Sequence, residues 1–344
     1  MLSRRVGSAD RACTRREARG RIGLSRFARG VVVFAKFLLG KGYQVFGASR
    51  DAQTSSFINL INLGIKDDVT LISINITDFG NTLECISKIK PDEVYNLAGQ
   101  SSVRLSFDQP HETHESISTG NLNLLEAIRF SNLPIKLYNA GSSECFGDSI
   151  IPANENTIFH PRSPYAIAKA TAFWQIDNYR EAYNLFACTG ILFNHESPLR
   201  PDHFVTKKII AGACKIYRNQ SQRISLGNIN IERDWGWAPD YVKAMWLMMQ
   251  KDQPKDYIIA TGKSHTLKEF IDITFKILDL DWEKHVVIDE ILRRPTDLQI
   301  GRADPSKATN ELQWKAKLGL NEIIENMIEH ELSYSNYSTP NSYL

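Results

Sequence analysis

Cysteine is sparse and scattered in this chain of 344 residues: five positions, 13, 85, 145, 188 and 214, with no CxxC pair and no metal-type cluster. That excludes a disulfide framework and a thiolate metal centre, and it fits free thiols in a reducing compartment. No apolar run reaches the roughly 18 residues of a membrane span, and Val31 to Leu39 is too short. Charge of one sign is not in excess, since 41 Lys and Arg against 39 Asp and Glu leave a net +2. Such a balance gives no electrostatic footprint for nucleic acid. Repeats, low-complexity tracts and Pro/Ser linkers are also missing. A cytoplasmic protein without membrane, nucleic-acid or metal partners is therefore expected.

Two local absences are sharper. The first 30 residues hold nine of the 21 arginines but no lysine, and their only acids are Asp10 and Glu17. The leader is Arg-rich and acid-poor like a transit peptide, yet it shows no amphipathic face. The other absence is a glycine turn. Gly20, Gly23 and Gly30 have neither GxGxxG nor GxxGxxG spacing, and no apolar strand precedes them.

What is present, from Phe34 on, is a regular alternation. The pattern predicts a helix ending at Leu39, stopped by Gly40 and Gly42, then strand Tyr43–Ser49, helix Ser55–Leu63 and strand Thr70–Ile74. Helix Asn81–Ile89, strand Glu93–Leu97, a helical stretch over 112–130, strand Ile135–Ala140, helix Tyr165–Tyr183 and strand Phe186–Phe193 follow. Alternation of this kind predicts an α/β protein, a Rossmann-like doubly wound parallel sheet, with a smaller C-terminal substrate-binding lobe. The expected division is an atypical Arg-rich leader over 1–33 in place of the first strand and Gly-rich loop, and a dinucleotide-binding domain over 34–195. Residues 196–335 are expected to form mainly the substrate lobe, with chain crossing between lobes, and 336–344 a tail. In the lobe, helices near 205–218, 240–250, 267–278 and 320–331 alternate with short strands near 223–226, 257–260 and 285–289. Val31–Val33 has the composition of a strand.

Ligands on such sheets bind beyond the carboxyl ends of the strands. Arg50, Asn75, Gly99 to Ser101, Ser142 to Glu144 and Asn194-His195-Glu196 fall there. Gly141 to Lys169 is the stretch richest in chemistry. Tyr165 and Lys169, four apart, share a helix face. If the Ser142-Ser143-Glu144 loop faces that helix, one pocket holds a phenol, an ammonium, a carboxylate and hydroxyl donors, a set suited to moving protons around a carbonyl. YxxxK by itself is a weak signal, and two ordinary helix residues are the better explanation of it taken alone. The paired histidines of His111-Glu112-Thr113-His114 have no third ligand nearby. Trp235, Trp237 and the run Tyr241–Met249 read as core.

Longer strings are far more specific. VYNLAGQSSVRLSFD at 94–108, YNAGSSECFGD at 138–148, PRSPYAIAKATAFW at 161–174, the NHESP string at 194–198, ERDWGWAPDYVKAMWLMMQ at 232–250 and RRPTD at 293–297 resemble the extended short-chain dehydrogenase/reductase family. Within it they resemble the GDP-mannose 4,6-dehydratases, and the likeness runs from about Phe34 to about Leu332. The resemblance implies conversion of GDP-mannose to GDP-4-keto-6-deoxymannose and water, a lyase reaction, by internal hydride transfer through NADP. It assigns Ser142, Glu144, Tyr165 and Lys169 to catalysis. Tyr165 acts as base at the sugar O4, its phenol lowered by Lys169⁺ and the nicotinamide charge, and Glu144 takes the C5 proton and assists departure of the C6 hydroxyl.

The same likeness implies that Arg50, Asn75, Ile76, Leu97, Ala98, Gly99, Gln100, Ser101, Lys169, His195 and Arg200 hold the cofactor. It also implies that Ser143, Asn194, Lys208, Arg233 and Arg294 hold the nucleotide-sugar. Asp51 stands where the family often has a second arginine, Ser142 where it usually has threonine, and Phe146 in place of a common tyrosine. A homodimer or homotetramer is implied, the dimer favoured, through helices 112–130 and 165–183. Two alternatives remain open at this point: a nucleotide-sugar epimerase or reductase using the same Tyr/Lys pair, and a homologue inactive for want of a phosphate loop. An out-of-frame start upstream of Phe34 would produce both the odd leader and the missing glycines.

Overall fold

The computed structural model describes residues 21–25, 29–292 and 295–334. Seven parallel strands form the central sheet: β1 (Arg21–Ser25), β2 (Gln44–Ser49), β3 (Val69–Ser73), β4 (Glu93–Asn96), β5 (Lys136–Ala140), β6 (Ala187–Leu192) and β7 (Tyr257–Ile259). Their spatial order is β3-β2-β1-β4-β5-β6-β7. The chain starts in the middle, winds outward to β3, then reverses across β1 to β4. That reversal opens a crevice at the carboxyl ends of β1 and β4, where this class of sheet takes its ligands.

Two expectations for the leader are corrected. The first strand is present: Arg21–Ser25 lies between β2 and β4, with Ile22 in register with Val45 on one side and Glu93 on the other. Five residues that begin with arginine carry little strand signal alone, and backbone pairing on both sides decides their state. Val31–Val33 is helical, part of Arg29–Gly40. The three valines and Phe34, Ala35 and Leu38 are all buried. They pack into one cluster with Tyr241, Met245 and Met248 of helix Ala238–Met249, and this burial overrides the β preference of a valine run. Residues 1–20, the connection 26–28 and the tail expected at 336–344 lie outside the described residues.

The lobe boundary shifts as well. Tyr257–Ile259 is the edge strand of the main sheet, parallel to β6, and helix Ala238–Met249 covers that sheet. The smaller lobe has its own core of Ile209, Ile210, Phe270, Phe275, Ile323 and Met327. A three-stranded sheet of 264–266, 232–237 and 194–196 bridges toward it. The long helical stretch after β4 is Pro110–His114, a π turn Glu115–Thr119 and Gly120–Ser131. π turns are rare and concentrate at functional sites, and this one flanks the crevice.

Candidate active site

Strand β5 runs into Gly141, where a Cβ would lie 2.7 Å from Thr189 Cγ2 and 3.1 Å from the Gly190 carbonyl. Only a glycine allows the strand end to sit this tightly against β6. The chain then turns through the 3-10 segment Ser143–Phe146, with Ser142 as its cap, its hydroxyl accepting from Glu144 N at 3.3 Å. Opposite stands helix Pro164–Tyr183, opened by Pro164 at its first position and by Ser163, whose hydroxyl accepts from Ala166 N at 3.1 Å. These are strong start signals.

The helix is fixed from beneath. Asn96 of β4 donates to Asn121 at 3.2 Å and to Asn139 of β5 at 3.3 Å, and Asn121 donates onward to Gln175 at 3.0 Å and to the Ala172 carbonyl at 3.3 Å. Ser118 adds a bond to the Ala168 carbonyl at 3.2 Å. A buried amide network of this kind holds the helix at one height over the strand ends, because losing any member strands its partner.

The Ser142 turn faces the Tyr165 helix. Tyr165 is half-buried and its phenol pairs with Ser142. Burial pushes that phenol well above its ordinary pKa, the Ser142 hydrogen bond draws it back, Glu144 nearby raises it, and the Arg200 guanidinium lowers it. Lys169 is buried, its Nζ donating to the Ala140 carbonyl at 2.7 Å and lying 5.9 Å from the centre of the Tyr165 ring. Burial lowers this ammonium to about 8. The cation acting on the phenol here is therefore Arg200 in addition to anything Lys169 contributes. Cys145, next to these groups, is a buried thiol pushed up to about 12 by desolvation and so is inert as a nucleophile.

The strand 194–196 supplies a further wall. His195 stacks on Tyr241 with ring centres 4.7 Å apart and its Nδ1 lies 3.0 Å from the Phe193 carbonyl. Burial lowers His195 to about 4, which keeps it neutral at physiological pH. Arg200 donates to the His195 carbonyl at 2.7 Å, lies 3.0 Å from the fully buried Glu196 carboxylate and covers the Phe204 ring at 4.1 Å. Glu196 is thus the residue that positions Arg200, through an ion pair with little solvent to screen it.

Beyond β2, β3 and β4 a cavity is lined by Ser49, Arg50, Asn75, Ile76, Thr77, Ala98, Gly99 and Ser116. Gly99 has φ +110°, and a Cβ there would lie 2.6 Å from Ile117 Cγ1. The backbone passes close to the π turn at a conformation open to glycine alone. Gln100 locks the same loop, donating to the Ser102 carbonyl at 2.8 Å and to Thr113 at 3.3 Å. Leu97 packs on the core and Ser101 is exposed. Ser116, Thr77, Glu112 and Glu115 also line this region. Sequence reading missed them: Glu115 and Ser116 sit in the π turn, which has no sequence period of its own, Glu112 in the short helix before it and Thr77 in the loop after β3.

Of the residues expected at the sugar nucleotide, Ser143 and Asn194 lie at the strand ends beside these groups, and Lys208 stands half-buried in helix Val205–Tyr217. Arg233 is buried and inward-facing, donating to the Glu232 carbonyl at 2.9 Å and the Leu298 carbonyl at 2.7 Å, with Asp297 at 3.9 Å. Arg294 lies outside the described residues.

Residues 32–327 match the family described as GDP-mannose 4,6 dehydratase. The chain belongs to that family. GDP-mannose 4,6 dehydratase 1 of Arabidopsis thaliana is 45% identical over 307 residues, 86% of this chain and 85% of the relative. The Homo sapiens GDP-mannose 4,6 dehydratase is 40% identical over 324 residues, 87% of each chain. Among solved structures, the UDP-glucose 4-epimerase of Thermotoga maritima superposes with a TM-score of 0.81 at 21% identity, covering 92% of this chain and 99% of that one. The dTDP-glucose 4,6-dehydratase of Bacillus anthracis, solved with NAD, gives 0.79 at 18% identity over 92% and 98%. At such identities the structures speak for the fold alone. The GDP-mannose 4,6-dehydratase family match begins close to where the sequence likeness begins, just inside the first helix, so it leaves β1 and the connection after it outside.

Proposed function

We propose that this chain removes water from GDP-mannose to give GDP-4-keto-6-deoxymannose, with a nicotinamide dinucleotide, NADP, as the recycled cofactor. The single observation that carries the reading is Glu144 standing beside the Ser142–Tyr165 pair in a chain of this family. A carboxylate there is what a dehydration needs and an epimerisation does not.

When bound, the nicotinamide accepts a hydride from the sugar and returns it, so it is not consumed. The chain's own residues do the rest. Tyr165 accepts the proton of the sugar O4, and Ser142 holds the same oxygen by a hydrogen bond. Lys169 and Arg200 supply positive charge as the phenol loses its proton. Glu144 removes the C5 proton, acidified by the adjacent ketone, and delivers a proton to the departing C6 hydroxyl. His195, neutral, and Arg200 wall the nicotinamide end.

The residues of the cavity beyond β2 to β4 fit the adenosine end of a dinucleotide. Gly99 gives close backbone approach, Asn75 and Ile76 line the cavity where the adenine would lie, and Arg50 at the end of β2 is a partner for a 2′-phosphate. Two copies are proposed to associate through helix Pro164–Tyr183, whose exposed Ile167 and Trp174 lie on one face with Thr171 between them. The deciding experiment incubates the purified chain with GDP-mannose and NADP and follows the sugar by mass spectrometry. Loss of one water with a 4-keto product supports the proposal, an isomer of unchanged mass would replace it with epimerisation, and no turnover with intact folding would mark an inactive homologue.

A further inference from the structure

The cavity at the ends of β2 and β3 carries an arrangement of charge that the proposed chemistry does not use. Its outer part, about 190 Å³, is lined by Arg50, Asn75, Thr77, Glu112, Glu115 and Ser116. Among the described residues that line it, Arg50 is the one cation and it faces two carboxylates. Arg50 is already engaged: its Nη2 lies 3.3 Å from Glu112 Oε1. The neighbouring Asp51 is turned into its own loop, accepting from Gln53 N at 2.8 Å, Thr54 N at 3.1 Å and Thr54 Oγ1 at 2.6 Å. Glu115 stands 3.8 Å from His111 Nδ1.

We infer that Glu112 sets how far this chain distinguishes NADP from NAD, because its carboxylate competes with the 2′-phosphate for Arg50. The inference rests on reading this cavity as the adenosine end of the cofactor site. Its physical basis is the sign of the charge. A phosphate monoester brings between one and two further negative charges, and in this cavity it meets an arginine with one nitrogen already on a carboxylate and a second carboxylate in the same lining. An adenosine ribose without that phosphate brings two hydroxyl donors, for which a carboxylate is a good acceptor. The pair is 61% and 50% exposed, so it is screened and breakable, and it tunes the preference without closing the site. Glu112 is held in place by helix Pro110–His114 and the π turn behind it, where Ser116 Oγ accepts from Gln100 N at 3.3 Å and donates to the Thr113 carbonyl at 3.3 Å.

The test titrates the full chain with NADPH, NADH, 2′,5′-ADP and 5′-AMP, following intrinsic fluorescence or heat, for the wild type, Glu112→Gln and Arg50→Gln. Glu112→Gln is expected to tighten NADPH and 2′,5′-ADP about 10-fold, to leave NADH and 5′-AMP within about 3-fold, and to lose most of its gain at high salt. Arg50→Gln is expected to move the 2′-phosphate ligands the opposite way. An unchanged ratio of 2′,5′-ADP to 5′-AMP affinity in Glu112→Gln overturns the inference. If the half-ligands respond as stated while neither dinucleotide binds, the inference falls together with the cofactor reading it rests on. If none of the four binds, both fall.

Discussion

Lys169 Nζ donates to the Ala140 carbonyl at 2.7 Å, tying the Tyr165 helix to the last residue of β5. The bond does two things at once. It fixes the phenol's height above the Ser142 turn, and it buries an ammonium, which lowers Lys169 to about 8. Below that pH the site holds an extra positive charge, and above it the charge is lost. Turnover is therefore expected to fall as pH rises through about 8. Lys169→Arg, whose guanidinium does not titrate in this range, should turn over more slowly but show no alkaline limb up to about pH 10. A pH–rate profile of both proteins decides it, and an identical limb in the arginine variant would remove Lys169 from that role.

Glu144 is the residue on which the choice of reaction turns. Glu144→Gln keeps the shape and the hydrogen bonding of the turn and removes the base. Turnover is expected to drop about 10³-fold, within the usual worth of a general acid–base group, with melting temperature and GDP-mannose binding unchanged. Single-turnover mass spectrometry on the variant checks this, and retained dehydration would assign the C5 proton to another group.

Much of this site was legible because its residues are tied to strand ends. Arg50, Asn75, Gly99 and Ser142 each follow a strand whose apolar run is plain, and the doubly wound order then brings them to one edge. Helix periodicity puts Tyr165 and Lys169 on one face, and the longer strings around them mark the pair as more than two ordinary helix residues. What was not legible depended on tertiary context. Val31–Val33 reads as a strand locally and is a helix because it packs beneath Met245 and Met248. Tyr257–Ile259 reads as part of the small lobe, and only its pairing with β6 places it in the main sheet. Ser116 reaches the cavity through a π turn, Glu112 from the short helix before it, and the bonds from Arg233 to the Glu232 and Leu298 carbonyls appear only in the folded chain.

Gly99 should tolerate no side chain. At φ +110° alanine is strained, and its Cβ would meet Ile117 Cγ1 at 2.6 Å with the Ser116 carbonyl at 3.4 Å behind it. Gly99→Ala is expected to cost about 1–3 kcal/mol of stability and to weaken cofactor affinity more than 10-fold, since Gly99 lines the cavity itself. Denaturant melts and nucleotide titration on the same preparation separate the two effects. A variant with wild-type affinity would show that the loop does not approach the dinucleotide.

Arg180 carries a half-buried network at the other end of the same helix. Its two terminal nitrogens reach Asp256 at 3.1 and 2.7 Å, and Asp256 also accepts from Thr189 N at 2.6 Å. Asp256, the residue before β7, thus links helix Pro164–Tyr183 to β6. Asp256→Ala leaves the Thr189 N–H without its acceptor, while the guanidinium keeps Asp177 at 2.5 Å and the Ala187 carbonyl at 3.1 Å, and the expected loss is about 1–3 kcal/mol. Chemical denaturation measures it. A double-substitution cycle with Arg180→Met isolates the share carried by the Arg180–Asp256 pair.

Asp234 gives the stability a pH dependence whose sign can be worked out. Its fully buried carboxylate accepts from Thr261 N at 3.0 Å, Thr261 Oγ1 at 2.9 Å and Gly262 N at 2.8 Å. Desolvation outweighs these bonds and raises it from 3.8 to about 6. Between those two values the folded chain holds a proton that the unfolded chain has released. The native state therefore binds more protons, and stability falls as pH rises from about 4 to about 6, then levels. The full span is on the order of 3 kcal/mol. Asp234→Asn cannot ionise, so it should flatten this part of the stability–pH curve even if it lowers the curve as a whole. Urea midpoints at half-unit steps between pH 4 and 7 check the slope, and an unaltered slope in the variant would move the titration to another buried carboxyl, with Glu93 and Glu196, both also raised by burial, the next to substitute.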